Sequence, residues 1–312
     1  MESSSAPVVL GLDFGGTKIA IAVCDLTGAL VGSRSIASGP DSSASSSLDA
    51  AILAAQELLA DVAPCRPLAG VGAATFGIPY DDRVELAPNI PGWSDLAFGR
   101  RLQSAFAGVP VGMANDVKAA AAAEHRWGAL ADCECGIYLN LGTGVAAALV
   151  LGGTVLTGAH GAAGEIGYNL RDSAEVGQSG DDRVTLEDAA SGRGLVAVAA
   201  AAFDRRLSAA EVFALAETNA AADRIVEAFI TELAQHVVNL AIAIDPQRIV
   251  VGGGMVRAWS RIGPALRRAL DAAVPFPPQL MASQFPYDAP LIGALALGVQ
   301  AARVDVCEQV AT

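Results

Sequence analysis

The sequence predicts an α/β protein built from two related lobes, and three observations lead to this fold class. An apolar run, a glycine-containing turn and a second apolar run occupy residues 8–31, and the same arrangement returns without a gap at residues 136–158. Each copy is followed by segments whose apolar residues have helical spacing. The chain has 312 residues, 53% of them hydrophobic, which is enough for two lobes with substantial cores.

Both copies place a polar residue, Asp13 or Asn140, at the end of the first apolar run and then turn through glycine and threonine. Glycine permits positive φ and close approach to a ligand, while turn amides and Thr hydroxyls donate to phosphate oxygens. We therefore predict a nucleotide site in which Asp13 contacts Mg²⁺ or its water shell. The alternative is a pair of hairpins that need glycine only for their shape. The predicted phosphate-binding residues are Gly15, Gly16, Thr17, Lys18, Gly142, Thr143 and Gly144.

The elements of the first half follow from periodicity and turn residues. A serine-rich loop precedes a predicted helix over residues 48–62, and LAGVGAATFGIPY then predicts a strand and a turn. After the loop LAPNIPGW, a short helix at about 96–106 leads to the strand VPVGMAND. Asn115 is a predicted N-cap for the alanine-rich helix 116–126, because Asn favours that position and Ala favours helix interiors.

The second half continues with the glycine-rich loop GAHGAAGEIGY and a polar segment over residues 171–183. Ser208 and Glu211 have the spacing of a capping box. RIVVGGGM predicts a buried strand that runs into Gly253 and Gly254 at a helix N-terminus, where another part of the nucleotide is expected to bind. The predicted helices cover about 185–203, 209–218, 221–244 and 291–303.

Composition excludes several classes of protein. The net charge is −13, and the 20 Lys and Arg residues occur in no run longer than a pair, which argues against a nucleic-acid surface. The N-terminal residues contain no basic segment typical of a secretory signal. Five cysteines, an odd number lying mostly in or beside apolar runs, fit reduced thiols and a cytoplasmic location. The uncharged stretch 135–164 is rich in Gly and Thr, which favours a buried hairpin over a membrane span.

Taken together, these motifs resemble the ROK family of sugar kinases and repressors, which belongs to the actin-like ATPase superfamily. The resemblance covers almost the whole chain, and the ordered set of motifs is highly specific although each one alone is weak. The matching segments are LGLDFGGTKIAIAV, PNIPGW, the pair Asn115-Asp116 before an alanine-rich helix, LGTGVAAALV, GAAGEIGY, LEDAASGRGL and IVVGGGM.

The resemblance implies an actin-like, ribonuclease H-like fold: two lobes, each a duplicated βββαβα unit, with a cleft between them. The C-terminal helix of such proteins usually returns to the first lobe. We accordingly predict a small N-terminal lobe from residues 1–114 together with about 291–312, and a large C-terminal lobe from residues 115–290. A homodimer is implied as well.

The same resemblance implies an ATP-dependent hexose kinase, most directly of the glucokinase type, that phosphorylates the sugar O6 and uses Mg²⁺. Phosphoryl transfer to a hydroxyl requires clamps on ATP and a carboxylate that takes the hydroxyl proton. Asp116 is the predicted general base. Its place in the first turn of a helix predicts a lowered pKa. The alternative is an ordinary helix-terminal carboxylate beside its cap.

The sugar contacts that the resemblance implies carry amide, carboxylate or phenol groups. An amide or carboxylate suits a polyol because it can bond two vicinal hydroxyls. Three alternatives stay open: Glu165 as a solvated loop charge, Glu187 as a helix N-terminal charge, and Trp93 as a loop anchor rather than a sugar platform. The predicted contacts are Asn89, Asn115, Glu165, Tyr168 and Glu187.

One departure from the family concerns zinc. Many ROK proteins continue GEIGH with a C-x-C-G-x-x-G-C knuckle in which His and three Cys hold structural Zn²⁺. Here Tyr168 stands at the His position, and residues 171–183 contain no cysteine. We therefore predict no structural zinc and interpret Cys133 and Cys135 as buried thiols. Since the family's His also contacts the sugar, Tyr168 is predicted to shape the C1 to C3 side of the pocket.

Other functions remain open at this stage. The lost zinc knuckle favours, as an alternative, a kinase for an amino- or otherwise modified hexose, for example kanosamine or an N-acetylhexosamine. A non-catalytic sugar-binding regulator is disfavoured because Asp13, Asp116 and both Gly/Thr turns are intact. A DNA-binding repressor is disfavoured because only seven residues precede the first strand and the charge is acidic. The sequence does not separate ATP from polyphosphate as the donor.

Overall fold

The computed structural model describes residues 6–38, 43–87 and 92–311, and for residues 304–311 it describes the backbone alone. The chain divides into two compact units. The first unit comprises Met1–Arg126 and Asp288–Thr312, and the second comprises Trp127–Tyr287. Each unit contains a five-stranded sheet of mixed direction.

The first unit is built on a sheet whose central strands are almost completely buried. Its elements before the final helix are β1 (Val8–Phe14), β2 (Lys18–Asp25), β3 (Leu30–Ala37), α1 (Ala44–Val62), β4 (Leu68–Thr75), β5 (Ile78–Pro79), β6 (Val84–Glu85), α2 (Phe98–Ala105), β7 (Val111–Asn115) and α3 (Asp116–Trp127). The sheet order is β3-β2-β1-β4-β7, in which β1 to β3 are antiparallel while β4 and β7 continue parallel to β1. Burial on both faces explains the continuous apolar runs.

The second unit repeats this plan. Its elements are β8 (Cys135–Leu141), β9 (Val145–Leu151), β10 (Thr154–Val155), α4 (Leu186–Ala190), α5 (Gly192–Phe203), α6 (Ala209–Ala216), α7 (Ala220–Ile244), β11 (Arg248–Gly252), α8 (Trp259–Ala273) and β12 (Gln279–Ala282). The order β10-β9-β8-β11-β12 again joins an antiparallel meander to two parallel strands. The predicted internal repeat is therefore confirmed, and the uncharged stretch from residue 135 begins with the β8–β9 hairpin.

The final helix, α9 (Ala289–Ala311), belongs to the first unit and packs directly on its sheet. Glycines make this contact possible: a Cβ at Gly72 would overlap the carbonyl oxygen of Ala294, and one at Gly293 would overlap that of Ala119. Because α3 runs on from β7 and packs against α9, it lies in the first unit. The predicted boundary at residues 114 and 115 differs from this division by the length of α3.

Local signals predicted several helix boundaries. Asn115 caps α3, and Ser208 with Glu211 forms the expected capping box of α6. The helix predicted over 185–203 is instead two helices, because the hydroxyl of Ser191 accepts the Gly194 N–H and starts a new one. α1 begins earlier than expected, at the residue after its Ser43 cap. The sequence predicted a helix start at Gly253 and Gly254 but gave no range for α8, and it did not predict β12.

Among the described helices, α7 is long and apolar enough to cross a membrane by length and composition alone. A core helix of a soluble protein passes the same test. In α7 the side chains of Val226, Phe229, Leu233 and Val237 are buried in the hydrophobic core of the second unit. Its apolar composition is thus accounted for by packing within the unit.

Candidate active site

The first predicted phosphate turn connects β1 to β2. The Gly15 N–H donates to the carbonyl oxygen of Lys18 at 3.1 Å and closes the turn. A Cβ at Gly15 would lie 3.0 Å from that oxygen, whereas one at Gly16 would meet no atom within 4 Å. Gly16, Thr17 and Lys18 are exposed. The turn therefore presents backbone and hydroxyl groups with open space beside them, as phosphate binding requires.

Asp13 lies near the end of β1, immediately before this turn, and is partly buried. Loss of hydration raises the pKa of Asp13 from 3.8 to about 7; the charges of Asp116 and Asp288 raise it too, while Lys18 lowers it. Three carboxylates with one cation leave an excess of negative charge. A divalent cation would favour the ionised form of Asp13, and Mg²⁺ commonly uses one or two carboxylates and keeps several waters. These residues therefore fit a Mg²⁺ contact.

Asn115 and Asp116 lie where β7 passes into α3. The Asn115 Oδ1 accepts the N–H of Lys118 at 2.9 Å, and the Asp116 Oδ1 accepts the N–H of Val117 at 2.9 Å. Asn115 is buried, whereas the side chain of Asp116 keeps contact with solvent. A capped strand–helix junction therefore holds the carboxylate in place and leaves it open to a reactant.

The pKa of Asp116 departs from the prediction made for a helix terminus. The protein around this carboxylate removes hydration and raises its pKa, and this effect exceeds the lowering by the Val117 N–H, the Asp116 N–H and the charge of Lys118. The predicted lowering is therefore wrong in direction, because desolvation outweighs the helix amides. A carboxylate with a raised pKa is a stronger base.

The second predicted phosphate turn connects β8 to β9 and is braced by α5. The Gly142 N–H donates to the Gly144 carbonyl oxygen at 3.0 Å. At the start of α5, the N–H groups of Gly192 and Arg193 donate to the carbonyl oxygens of Gly142 and Thr143 at 2.9 and 3.1 Å. Backbone bonds from a helix N-terminus therefore set the shape of this turn.

Glu187, a predicted sugar contact on α4, also bonds to this region. Its Oε2 accepts the Val145 N–H at 3.3 Å, and its Oε1 accepts from the Arg193 guanidinium at 2.5 Å. A Cβ at Gly144 would overlap the Glu187 Oε2, so a side chain there would displace this carboxylate from its present position. The capping box of α4 uses Thr185 with Asp188. Glu187 thus lies in the first turn of α4, as the alternative proposed, and its carboxylate is also bonded to the second phosphate turn.

Glu165 and Tyr168 flank a short 3₁₀ turn, Ile166–Tyr168, at the end of the glycine-rich loop. The Ala147 N–H of β9 donates to the Gly164 carbonyl oxygen at 2.8 Å and fastens the loop to the sheet. The Tyr168 side chain is half-exposed. Partial burial and the charges of Glu165 and Glu187 raise the pKa of the Tyr168 hydroxyl. The structure therefore brings these three predicted sugar contacts together within the second unit.

The positive φ that glycine permits is not used at the phosphate turns, where a Cβ would be crowded by backbone at Gly15 but would meet only ordinary contacts at Gly142 and open space at Gly16. Positive φ occurs instead at Gly253, where φ is 85°. A Cβ there would lie 2.5 Å from the Leu141 carbonyl oxygen and 2.8 Å from the Asn140 Oδ1. Gly253 therefore lies beside the second turn, and Gly254 next to it leaves open space. The four turn glycines without positive φ are Gly15, Gly16, Gly142 and Gly144.

The PNIPGW motif contains two residues with predicted roles, Asn89 and Trp93, and the structure describes Trp93 but not Asn89. Asn89 lies outside the described residues, so its assignment as a sugar contact stays a prediction. Trp93 is buried, with its ring centroid 5.7 Å from that of Phe14 and 4.5 Å from that of Phe76, both in edge-on geometry. Trp93 therefore anchors the loop in the aromatic core, as one alternative proposed.

The two cysteines interpreted as buried thiols, Cys133 and Cys135, are both among the described residues. Cys133 is buried, and the Cys135 thiol contacts the Ile244 carbonyl oxygen at 3.5 Å; burial raises the pKa of Cys135. No group of three or more His, Cys, Asp or Glu side chains among the described residues is placed to hold a metal ion. Mg²⁺ does not depend on such a group, because phosphates and waters complete its coordination.

Two residues near the predicted groups were missed. Asp288 precedes α9, and its charge acts on Asp13 within the first unit. Arg193 pairs with Glu187 in the second unit. The available signals were an acidic residue just before the predicted final helix and an arginine six positions after Glu187 within LEDAASGRGL. An acidic residue at position 288 gives no indication of Asp13, which is distant in sequence, and the spacing of Glu187 and Arg193 does not by itself show that they pair.

Comparison with known proteins gives consistent results. The chain is 33% identical over 303 residues to the bifunctional enzyme NanE/NanK of Brucella melitensis, covering 95% of this chain but 55% of that protein. The chain thus spans about half the length of this curated relative. It is 32% identical over 251 residues to N-acetylmannosamine kinase of Yersinia pestis, covering 79% of this chain and 82% of that protein.

Among solved structures, the ROK hexokinase of Thermus thermophilus is similar with a TM-score of 0.82 and 31% identity, covering 96% of this chain and 99% of that one. The predicted actin-like ATPase fold is thereby confirmed. The model of the ROK family matches residues 9–301. On the strength of this match over most of its length, the chain belongs to the ROK family.

Proposed function

We propose that this protein is a kinase that transfers the γ-phosphoryl group of ATP to the O6 hydroxyl of a hexose. The observation that carries the proposal is Asp116: a solvent-contacting carboxylate with a raised pKa, held at the capped start of α3. This is the placement and basicity expected of a group that accepts a proton from a hydroxyl. ROK relatives named as sugar kinases support the same reaction class.

In the proposed reaction, O6 attacks the γ-phosphorus while its proton moves to the carboxylate of Asp116. The O6–P bond forms, the bond between the γ-phosphorus and the bridging oxygen breaks, and ADP leaves with that oxygen. The helix cap at Asn115 holds the base in position. The exposed amides of the first turn, together with Thr17 and Lys18, are proposed to bind phosphate oxygens.

Bound Mg²⁺ would supply charge neutralisation on the phosphate oxygens. Asp13 is the residue proposed to hold the ion or its water shell. In the second unit, the turn 142–144 and the pair Gly253-Gly254 are proposed to bind the nucleotide as well. ATP rather than polyphosphate is the proposed donor, and assembly as a homodimer stays a prediction.

For the acceptor, we propose an N-acylated amino hexose, with N-acetylmannosamine as the first candidate and glucose as the second. The curated relatives at 32–33% identity carry the N-acetylmannosamine kinase or NanE/NanK names. The half-exposed Tyr168 beside Glu165 and Glu187 offers a phenol hydroxyl and two carboxylates to a substituted sugar. The Thermus hexokinase similarity keeps glucose, the acceptor first predicted from sequence, as the alternative.

A coupled assay that measures ADP release tests this proposal. N-Acetylmannosamine, N-acetylglucosamine, glucosamine, kanosamine, glucose, mannose and fructose would be compared at equal concentrations. We expect the highest kcat/KM with an N-acylated amino hexose and no turnover with 6-deoxy analogues, which lack the attacking O6. Higher kcat/KM for glucose would replace the first candidate by the second, and no turnover with any sugar would refute the kinase assignment.

Tyr168→His is expected to change the relative kcat/KM among hexoses by about tenfold while leaving the KM for ATP nearly unchanged. A site that hydrogen-bonds its substrate rejects an unmatched sugar because a buried polar group is left without a partner. The matched control is Tyr287→His, an exposed tyrosine of the same unit whose ring packs beside Arg257. If the sugar ranking stays constant while ATP binding weakens, Tyr168 does not select the substrate.

Metal content provides a further prediction. We expect turnover to require Mg²⁺ and the purified protein to contain no stoichiometric zinc, since Tyr168 and a cysteine-free segment stand where relatives hold that ion. A chelator should abolish turnover without changing the melting temperature. Elemental analysis measures the zinc content, and turnover and thermal melting with and without the chelator measure its two expected effects. One tightly held zinc per chain would contradict the prediction.

A further inference from the structure

The segment that follows Tyr168 is closed by a single arginine. Arg183, at its far end, donates from Nη2 to the carbonyl oxygen of Tyr168 at 2.5 Å and from Nη1 to that of Asn169 at 3.0 Å. The guanidinium therefore joins the two ends of the segment 169–183. A bond between distant positions restricts the loop in the same way as a cross-link does.

This arginine is buried with its charge balanced. The side chain of Arg183 is 6% exposed and that of Glu175 is 12% exposed, and the Arg183 Nη1 lies 3.2 Å from the Glu175 Oε2. The same oxygen accepts the backbone N–H of Arg171 at 2.8 Å. A buried guanidinium in such a place needs both a carboxylate partner and carbonyl acceptors, and this segment supplies both.

The contacts extend from the segment to helix α7. The Arg171 Nε donates to the Glu232 Oε1 at 2.6 Å. His236, also on α7, is buried, and its Nδ1 lies 3.4 Å from the Asn169 Nδ2. The segment is thus fastened to α7 at its N-terminal end, through Asn169 and Arg171, and Arg183 joins its far end to the Tyr168 and Asn169 backbone.

Tyr168 links the Arg183 guanidinium to the turn that contains the proposed sugar contacts. Its N–H donates to the Glu165 carbonyl oxygen at 3.2 Å, and the turn between them lies against Glu187: a Cβ at Gly167 would lie 3.3 Å from the Glu187 Cβ. A bond to the Tyr168 carbonyl therefore limits the orientation of the whole turn. Without it, the turn would lose this restraint while keeping its contacts to β9 and α4.

We propose that Arg183 is a positioning residue for substrate binding: its guanidinium, bonded to the Tyr168 and Asn169 carbonyl oxygens and paired with Glu175, holds Glu165 and Tyr168 in the orientation that binds the sugar. This inference rests on the proposed function, because it assumes that this turn contacts the acceptor. The role is performed by this chain's own side chains and needs no metal ion.

The central test is Arg183→Met, which keeps the apolar stem and removes the donors. We expect the KM for the sugar to rise by about tenfold or more, corresponding to loss of one or two charge-assisted hydrogen bonds, while the KM for ATP changes less than about twofold. Added guanidinium at millimolar concentration should partly restore the sugar KM. Arg183→Lys should give an intermediate KM, since one ammonium cannot reproduce the planar fork.

The matched control is Arg261→Met. Arg261 also pairs with two acidic residues of the second unit, Asp223 and Glu227, but on an exposed surface. Its loss is expected to leave both KM values unchanged. If Arg183→Met does not fold, Glu175→Gln serves instead: it removes the paired charge but leaves the carbonyl bonds, and a smaller rise in sugar KM is expected.

Two measurements separate this inference from the proposed function. Hydrogen exchange of residues 165–176 should accelerate in Arg183→Met and not in Arg261→Met, whether or not a sugar is phosphorylated. If the wild type phosphorylates a hexose but Arg183→Met and Glu175→Gln keep the wild-type sugar KM, the positioning role is refuted and the kinase assignment stands. If no sugar is phosphorylated or bound by the wild type, the kinase assignment fails first.

Discussion

Asp116→Asn is expected to lower kcat by about 10²–10⁴-fold, the range for removing a general base, while the protein stays folded and still binds its sugar. The amide can hydrogen-bond the O6 hydroxyl but cannot accept its proton. Asn115 still caps α3 in this variant, because its bond to the Lys118 N–H does not involve Asp116. Single-turnover kinetics and calorimetric sugar binding measure the two parts of the expectation.

The pH profile adds a second readout. Because the surrounding protein removes hydration from the Asp116 carboxylate and raises its pKa, wild-type activity should fall, as pH decreases, at a higher pH than an ordinary aspartate would give. This acid limb should be missing from the residual activity of the variant. Asp61→Asn, which alters a surface ion pair with Arg34, is the control and should keep wild-type kcat. Near-wild-type kcat in Asp116→Asn would exclude this residue as the base.

Asp13→Asn is expected to have two opposite effects: loss of turnover and a gain in stability. The turnover should fall by at least about 10²-fold, because the amide holds Mg²⁺ poorly and leaves phosphate charge less well neutralised. The stability gain follows from the pKa of Asp13, which is about 7 in the folded protein against 3.8 as the ordinary value. Between these values the folded state binds more protons than the unfolded state.

The sign of the pH dependence follows from this difference. The stability of the wild type should decrease as pH rises from about 4 to about 7, and the full cost of the ionised carboxylate is present above pH 7. Asp13→Asn removes that cost. After allowance for solvent screening we expect about 1–2 kcal/mol, or roughly 2–3 °C in Tm, at pH 8 without Mg²⁺, and no gain below pH 4.

The control for this experiment is Asp25→Asn. Asp25 accepts the N–H groups of Thr27 and Ala29 at 2.8 and 3.0 Å, and a hydrogen bond from the Thr27 hydroxyl is the main reason that its pKa is lowered. The same substitution should therefore lower Tm at pH 8 and leave kcat unchanged. If Asp13→Asn also lowers Tm at pH 8, the carboxylate of Asp13 is not destabilising and its proposed link to a bound cation loses support.

The chain shows where sequence reasoning is strong. The repeated hairpins, the Asn115 cap and the Ser208–Glu211 capping box were predicted because each depends on residues within a few positions of one another. Such short-range geometry is a property of the local sequence. The same reasoning gave no range for α8, whose interior contains Pro264, and overlooked β12, which has four residues and weak periodicity.

Reasoning from the sequence predicted only part of the candidate site. Glu165, Tyr168 and Glu187 were predicted separately, and the structure brings them together through the bracing of β9 and α5. The pKa of Asp116 was predicted in the wrong direction, because hydration depends on all the protein around a group and not on its helix alone. Arg183 gave no local signal, since its acceptors are carbonyl oxygens at the other end of the segment 169–183.

The resemblance to the ROK family supplied the kinase assignment and Asp116 as the proposed base. The patterns of the sequence itself determined the α/β fold class, the internal repeat and the glycine turns proposed to bind phosphate. Patterns of apolar residues, glycines and caps encode these features over short stretches. Only the tertiary structure decided that positive φ occurs at Gly253 and not at the phosphate turns, that Glu187 bonds to the second turn, and that Arg183 closes the segment beside Tyr168. Those features depend on atoms that approach one another only after folding, so no local pattern records them.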